Sequence, residues 1–391
     1  MKQILTSLWV VALAAPAFGQ TPVFGVSISP ELAYRLPEGY QGKINKQFID
    51  TTTSDDATNQ VFAAAQNATF YSFDDEFSEI VGDSPTITTL YASNSTFVYA
   101  NEGGAWLPDL NQMYFTGSGS DPLPYYVLHF DDLSISRPKV YISGFGLKSV
   151  SVAPGIYAID AKTGQSTVVL NTYQGVHLNS LDDLAWVRAN ASAGSTSCTR
   201  AGEDHLFFSS LDMSPAGHTD YTDAVLPNSI MRFSPATNSL QAVVARADIL
   251  APNGVASDPT SRYLYLTDVS MTSIAGPGSN NSGSIAVYKY DLDADCFPVN
   301  KRLFAMPRSG YADGIKIDNY GRVWTAEFNG VVVRNPLGKE LGVFNAEQLI
   351  DPDFYPISNF GLAGDKLVVL SGNKIHILQL GQNVTDPVQK Q

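Results

Sequence analysis

The chain has 391 residues, with 38 acidic side chains against 24 basic ones and a formal net charge of −14. Such a balance repels nucleic acid and anionic lipid headgroups, so neither is expected as a partner. At 44% hydrophobic residues the chain can bury a large core, which excludes a wholly disordered protein.

The first nineteen residues read as a secretory leader. Lys2 gives the positive end, Ile4 to Ala15 the apolar stretch, and Ala17-Phe18-Gly19 the small-x-small cleavage site. The apolar run is too short to span a bilayer, and no later segment is long and apolar enough. A mature, secreted, extracellular chain is expected from Gln20, with 20–391 as a single domain and 20–66 as an N-terminal arm over one face. Within the arm, 57–66 is the best short helical stretch; helical periodicity is otherwise nearly absent. FYSF and TFVYA follow as strands.

From there one phrase recurs. Glu102 opens EGGAWLPDLNQMYFTGS, Asp182 opens DDLAWVR before HLFFSS, and Asn253 opens NGVASDPTSRYLYLTDVS. Asp313 opens DGIKIDNYGRVWTAEF, and Asn359 opens NFGLAGDKLVVLSG. Each copy is an oxygen-bearing residue, a short apolar run, a turn, and a second run ending in a small or hydroxyl residue. Second hairpins lie between the copies, at 155–170, 229–244, 284–304 and 331–344, with partial period-two alternation. One phrase plus one hairpin makes about four strands, which is the unit of an all-β propeller. Six four-stranded antiparallel blades are expected, with KIHILQL and an N-terminal strand sharing the last blade so that no sheet edge remains open. Residues 189–203 are an insertion and 271–283 a loop.

Two cysteines, Cys198 and Cys296, favour one disulfide in an oxidising compartment, tying the insertion to the second hairpin of the next blade. Neither carries metal-site spacing. Five Asn-x-Ser/Thr sequons, at Asn67, Asn94, Asn190, Asn280 and Asn383, read as N-glycan sites.

The phrases LPNSIMRFSPATNSLQAVV, APNGVASDPTSRYLYLTD, DGIKIDNYGRVWTA and NPLGKELG, in this order, resemble the SMP-30/gluconolactonase/regucalcin-like family, and most of all its secreted fungal lactonohydrolases. The resemblance covers roughly residues 97–378. It implies a six-bladed propeller with a divalent cation in the central channel, most often Ca²⁺, with Mg²⁺, Mn²⁺ or Zn²⁺ as alternatives. It carries the ligand roles onto Glu102, Asn253 and Asp313. A fourth site residue of the family, an Asn in a Pro-Asn-Asp phrase, maps to Asp182, so this chain holds an extra acid there. The Glu phrase also departs, reading Glu-Gly-Gly.

Without the resemblance, Asn253-Gly254 and Asp313-Gly314 are ordinary turn dipeptides, and the case for a site rests on their heading equivalent repeats. If those heads point inward, their oxygens converge on the axis and make a hard cation site. Such an ion polarises a carbonyl and stabilises an oxyanion. The implied reaction is hydrolysis of a lactone: an aldonolactone, a pantoyl-type lactone or a larger fungal one. Asp313 is the expected base or water-orienting group, with Asp182 and the upstream His177 as further catalytic candidates. A related metal-dependent esterase or phosphotriesterase, and a non-catalytic ligand-binding propeller, are the alternatives. No Gly-x-Ser-x-Gly elbow and no P-loop occur.

Overall fold

The computed structural model describes residues 21–43, 46–91, 98–118, 125–130, 139–144, 153–160, 163, 165–189, 198, 202–214, 226–271, 283–350 and 357–386. The expected leader and the sequons at Asn94, Asn190 and Asn280 lie outside these residues. Asn67 and Asn383 lie within them and are exposed.

The chain is all-β in character, a propeller-like array of small antiparallel sheets laid out in chain order. Val98–Leu107, Gln112–Ser118 and Tyr125–His129 form one sheet; Lys139–Gly144, Gly155–Asp160 and Ser166–Leu170 form the next. Ser180–Val187, His205–Leu211, Ser229–Ser234 and Ser239–Val244 follow as a four-stranded meander. Pro252–Ser257, Tyr263–Asp268, Val287–Leu292 and Pro298–Ala305 repeat that pattern. So do Ile315–Ile317, Val323–Glu327, Gly330–Arg334 and Glu340–Asn345. The C-terminal strands Asn359–Leu362, Lys366–Ser371 and Lys374–Gln379 complete the array. The hairpins at 155–170, 229–244, 284–304 and 331–344 fall where the sequence places them.

First strands of successive sheets pack side by side. Lys139–Gly144 lies by Ser180–Val187, which lies by Pro252–Ser257, then Ile315–Ile317, Asn359–Leu362 and Val98–Leu107. The repeat heads therefore face one another across a common centre. Turn chemistry fixes each first hairpin. Asp318 Oδ1 accepts from the amides of Tyr320 (2.9 Å) and Arg322 (3.0 Å), and its Oδ2 from Trp324 Nε1 (3.0 Å). Asp258 does the same in the preceding sheet, with Arg262 and Tyr263 amides at 2.7 Å. Gly321 supplies the left-handed turn position, φ 78°. Sheets pack face to face through apolar layers. Trp324, fully buried, stacks on Phe344 at 5.9 Å, among Phe360, Leu362, Leu367 and Val369 of the C-terminal sheet.

The C-terminal strand Lys374–Gln379 does pair with an N-terminal strand, from Thr86 against Gln379 to Tyr91 against Lys374. That partner is Thr86–Tyr91, rather than either strand singled out from the sequence. Phe70–Ser72 instead extends the Ile315–Asn345 sheet at its outer edge, and Val98 begins the next sheet. The arm is anchored there too. Gly25–Ser27 runs parallel to Phe70–Ser72. The helix Asp56–Gln66, capped by Asp55 accepting from the Thr58 amide at 2.8 Å, lies close to the expected 57–66. It buries Phe62 and Ala65 with Phe48, Ile49, Tyr71, Val332 and Val343. A second helix, Asp75–Val81, was not foreseen. Cys198 and Cys296 are disulfide-bonded, joining the insertion to the turn after Val287–Leu292 in the next sheet.

Candidate functional site

Strand irregularities aim the repeat heads. Regular pairing would send consecutive side chains to opposite faces, but a bulge re-aims them. The pairing of Ser180–Val187 breaks between Leu181 and Leu184, which frees Asp182 and Asp183 together. It breaks between Pro252 and Val255 at Asn253, and on both sides of the Glu102–Gly103 pair. Asp313 stands just ahead of its strand, its amide donating to Ala326 O at 2.9 Å.

The glycines after Asn253 and Asp313 permit close approach rather than turns. A Cβ on Gly254 would lie 2.4 Å from the Asp313 carbonyl oxygen, and one on Gly314 2.4 Å from Asn359 Cγ. Neither glycine has a positive φ. The Asn-Gly and Asp-Gly pairs thus let neighbouring first strands converge.

Two connected polar groups result. In one, Asn359 Nδ2 donates to Glu102 Oε2 (3.1 Å) and to Asp183 Oδ1 (3.3 Å), while Asn101 Nδ2 donates to Glu102 Oε1 (3.0 Å). In the other, the Asn253 side chain lies beside both Asp182 and Asp313 and favours their ionised forms, as Ser358 does for Asp313. The expected ligand residues Glu102, Asn253, Asp313 and Asp182 therefore meet at one place. His177 lies apart in character: it is exposed, at the end of the Thr172–Tyr173/Val176–His177 hairpin.

The carboxyl groups resist ionisation together. Asp182 and Asp313 are buried, whereas Glu102 and Asp183 keep partial exposure. Loss of water, then the charges of Asp313, Asp182 and Asp183, pushes Glu102 well above the usual carboxylate range. Asp313 is raised in the same way, by burial and then by Asp182 and Asp183. Asp182 is pushed up to about 8, by burial and then by Asp183. Asp183 is also raised by burial, although the Lys316 cation opposes the shift. Beside them, burial and the charges of Asp313, Glu102 and Asp182 raise the Tyr311 phenol. Its ring meets Phe328 edge-on at 5.2 Å.

Crowded acids that hold each other's protons are the arrangement that a cation relieves. Among the described residues, the acid and amide side chains gathered here offer hard oxygens, and Asp183 Oδ2 is buried without a close hydrogen-bond partner. Among the described residues, no three His, Cys, Asp or Glu side chains are clustered as a metal-holding group by themselves. The Asn253 side chain, beside Asp182 and Asp313, adds an amide oxygen to the set. With it, the residues fit a hard divalent ion and not a thiolate- or imidazole-bound one.

A propeller-like array with an acid and amide cluster among its first strands defines a class of proteins with a polar site at the sheet centre. Residues 149–347 match the SMP-30/Gluconolactonase/LRE-like region, and the chain belongs to that family. It is 25% identical to the lactonohydrolase oryH of Aspergillus oryzae, over 87% of this chain and 90% of the relative. It is also 25% identical to a gluconolactonase of Zymomonas mobilis, over 71% of each. A solved gluconolactonase from Xanthomonas campestris shares the fold, with a TM-score of 0.55 at 21% identity over 78% of this chain and 92% of that one.

Sequence reasoning did not assign Asp183, Lys316, Ser358 or Tyr311 to the site. For Asp183 the signal was the acidic doublet itself. For Lys316 it was a cation inside the apolar run Ile315-Lys316-Ile317. Asn359 was recognised as a repeat head but given no role.

Proposed function

We propose that the chain is a secreted, metal-dependent lactonase built as one six-bladed propeller domain, residues 20–391. Its site is the carboxyl cluster at the centre. The observation that carries this reading is the convergence of Glu102, Asp182, Asn253 and Asp313, where burial and then the charges of Asp313 and Asp182 raise the Glu102 pKa, and burial and then Asp182 that of Asp313. The lactonohydrolase and gluconolactonase names of its relatives supply the reaction class.

Glu102, Asn253 and Asp313 would hold the ion, with Asp182 beside them; Ca²⁺ suits an all-oxygen set of this kind. Such an ion, when bound, would supply Lewis acidity toward the ring carbonyl and stabilisation of the oxyanion. Asp313 orients the attacking water and takes its proton, with the Ser358 and Asn253 side chains close to its carboxyl group. Water adds to the lactone carbonyl, the ring C–O bond breaks, and the proton passes to the departing alkoxide, giving a hydroxy acid. Asp182, beside the same Asn253, adds negative charge and is the second proton acceptor. The disulfide, the exposed sequons at Asn67 and Asn383, and the leader-like N-terminus support secretion and glycosylation.

The test is a lactone panel, from glucono-δ-lactone through pantoyl lactone to macrocyclic esters, run with calcium and after chelation. Hydrolysis that chelation abolishes and calcium restores is expected. Full activity after exhaustive chelation would refute the metal, and inertness toward every lactone the reaction.

A further inference from the structure

We propose that Asn359, held by Asp183, is a positioning residue that fixes the Glu102 carboxylate for the cation. The proposal rests on the metal-dependent reading above and adds to it a residue that touches neither ion nor substrate.

An amide nitrogen carries two hydrogens, and both are used here. One goes to Glu102 Oε2 at 3.1 Å and one to Asp183 Oδ1 at 3.3 Å. The amide oxygen accepts from the Phe360 backbone at 3.0 Å. A flipped amide would turn its oxygen toward two carboxylates and its nitrogen toward a donor, so only one orientation satisfies every partner. The side chain is fully buried, and its pocket exists because residue 314 has no Cβ. From the other side, Asn101 Nδ2 holds Glu102 Oε1 at 3.0 Å. Glu102 is thereby clamped between two amides, one on each carboxylate oxygen.

Asp183 serves as the anchor. The Lys316 cation acts in its favour, and the backbone amides of Val255 and Ile315 also approach its carboxylate. Lys316 is itself buried. Asp183 thus links first strands from four consecutive sheets, through its own strand, Val255, Ile315 and Asn359. Its own amide donates to Ser209 Oγ at 3.1 Å, which fixes the bulge that aims it. Hydrogen-bond partners of this kind typically change metal affinity 10- to 100-fold when lost.

The experiment is calorimetric titration of the full-length chain with calcium alone, together with thermal unfolding in chelator. Asn359→Leu keeps the volume and removes both donors; it should weaken calcium binding about 10- to 100-fold. Asn359→Ser, smaller and with one donor, should fall between Leu and wild type and guards against misfolding of the first variant. Glu102→Gln should also weaken binding, and adding Asn359→Leu to it should cost about threefold or less, because the group being oriented has changed. If Asn359 is only structural, the variants will melt earlier in chelator yet bind calcium with wild-type affinity, and the proposal fails. It fails equally if the two substitutions multiply in the double variant. Wild-type chain that binds no calcium, magnesium or manganese would overturn the metal reading itself, and this proposal with it.

Discussion

Replacing Asp182 by Asn should stabilise the ion-free protein and weaken its hold on the ion, two effects of opposite sign from one atom. Asp182 is 9% exposed and pushed up from 3.8 to about 8. A carboxyl whose folded pKa is raised favours folding fully only below its unfolded pKa, and that contribution is lost as pH rises through the folded value. Stability of the ion-free protein therefore falls between about pH 4 and pH 8 because of this group. Linkage at 1.36 kcal/mol per unit puts the loss near 2 kcal/mol at pH 5, about 4 at pH 7 and nearly 6 above pH 8. Asn has almost the same shape and no charge, so the variant escapes the loss. With about 2.1 cal/mol/K of unfolding entropy per residue, 4 kcal/mol corresponds to roughly 5 °C in melting temperature. Scanning calorimetry in chelator at pH 4, 5, 7 and 9 should show no gain at the lowest pH and a growing gain above it. With saturating calcium the ordering should narrow or reverse, since the lost charge no longer attracts the ion. A gain independent of pH, or destabilisation in chelator at pH 7, would refute the reasoning.

Much of the fold was legible because each sheet is built from local hairpins whose apolar runs and turn residues adjoin in sequence. The phrase Asp-Asn-Tyr-Gly-Arg-Val-Trp, with Asp318 collecting the turn amides, carries its structure within seven residues. The closing strand escaped for the opposite reason. Thr86–Tyr91 pairs with residues nearly 290 positions away, and its alternating Thr-Ile-Thr-Thr-Leu-Tyr is a weak one-faced pattern with no hairpin partner beside it. A principle, that a ring of sheets needs no open edge, demanded such a strand without naming it.

The site was legible as a set of repeat heads and illegible in its connections. Equivalent positions in the repeats located Glu102, Asp182, Asn253, Asp313 and Asn359 near one centre. Period-two reasoning would put Asp183 on the face opposite Asp182. The bulge cancels that alternation, and no residue type in Leu-Asp-Asp-Leu announces it. The glycines were misleading in isolation: beside Asn253 and Asp313 they look like turn formers, yet they serve contact between first strands. Which amide holds which acid depends on distances between sheets, and single-chain patterning does not encode those distances.

Two further outcomes follow. Asp313→Asn keeps an oxygen at the ion but removes the proton acceptor, so calorimetry should still detect calcium while turnover falls on the order of 10²-fold or more; wild-type turnover would move the role to Asp182. The Cys198–Cys296 bridge spans a sequence separation of 98 and ties the Ser180–Val244 sheet to its neighbour, Pro252–Ala305. Its sulfurs are buried within an apolar cluster that includes Val187, Phe207, Leu264 and Leu292, so a double Ser variant changes both the unfolded and the folded chain. Loop closure over that length gives about 4–5 kcal/mol in the chain-entropy treatment. At the unfolding entropy used above this amounts to roughly 6 °C. Hydroxyls confined in that apolar cluster would push the loss further, so the Cys198→Ser/Cys296→Ser protein should melt at least that much earlier than the oxidised wild type. Reduction of the wild type should reproduce the entropic part alone. Two free thiols in the untreated protein by non-reducing mass spectrometry, or a double variant that melts with the wild type, would show that the bridge contributes nothing.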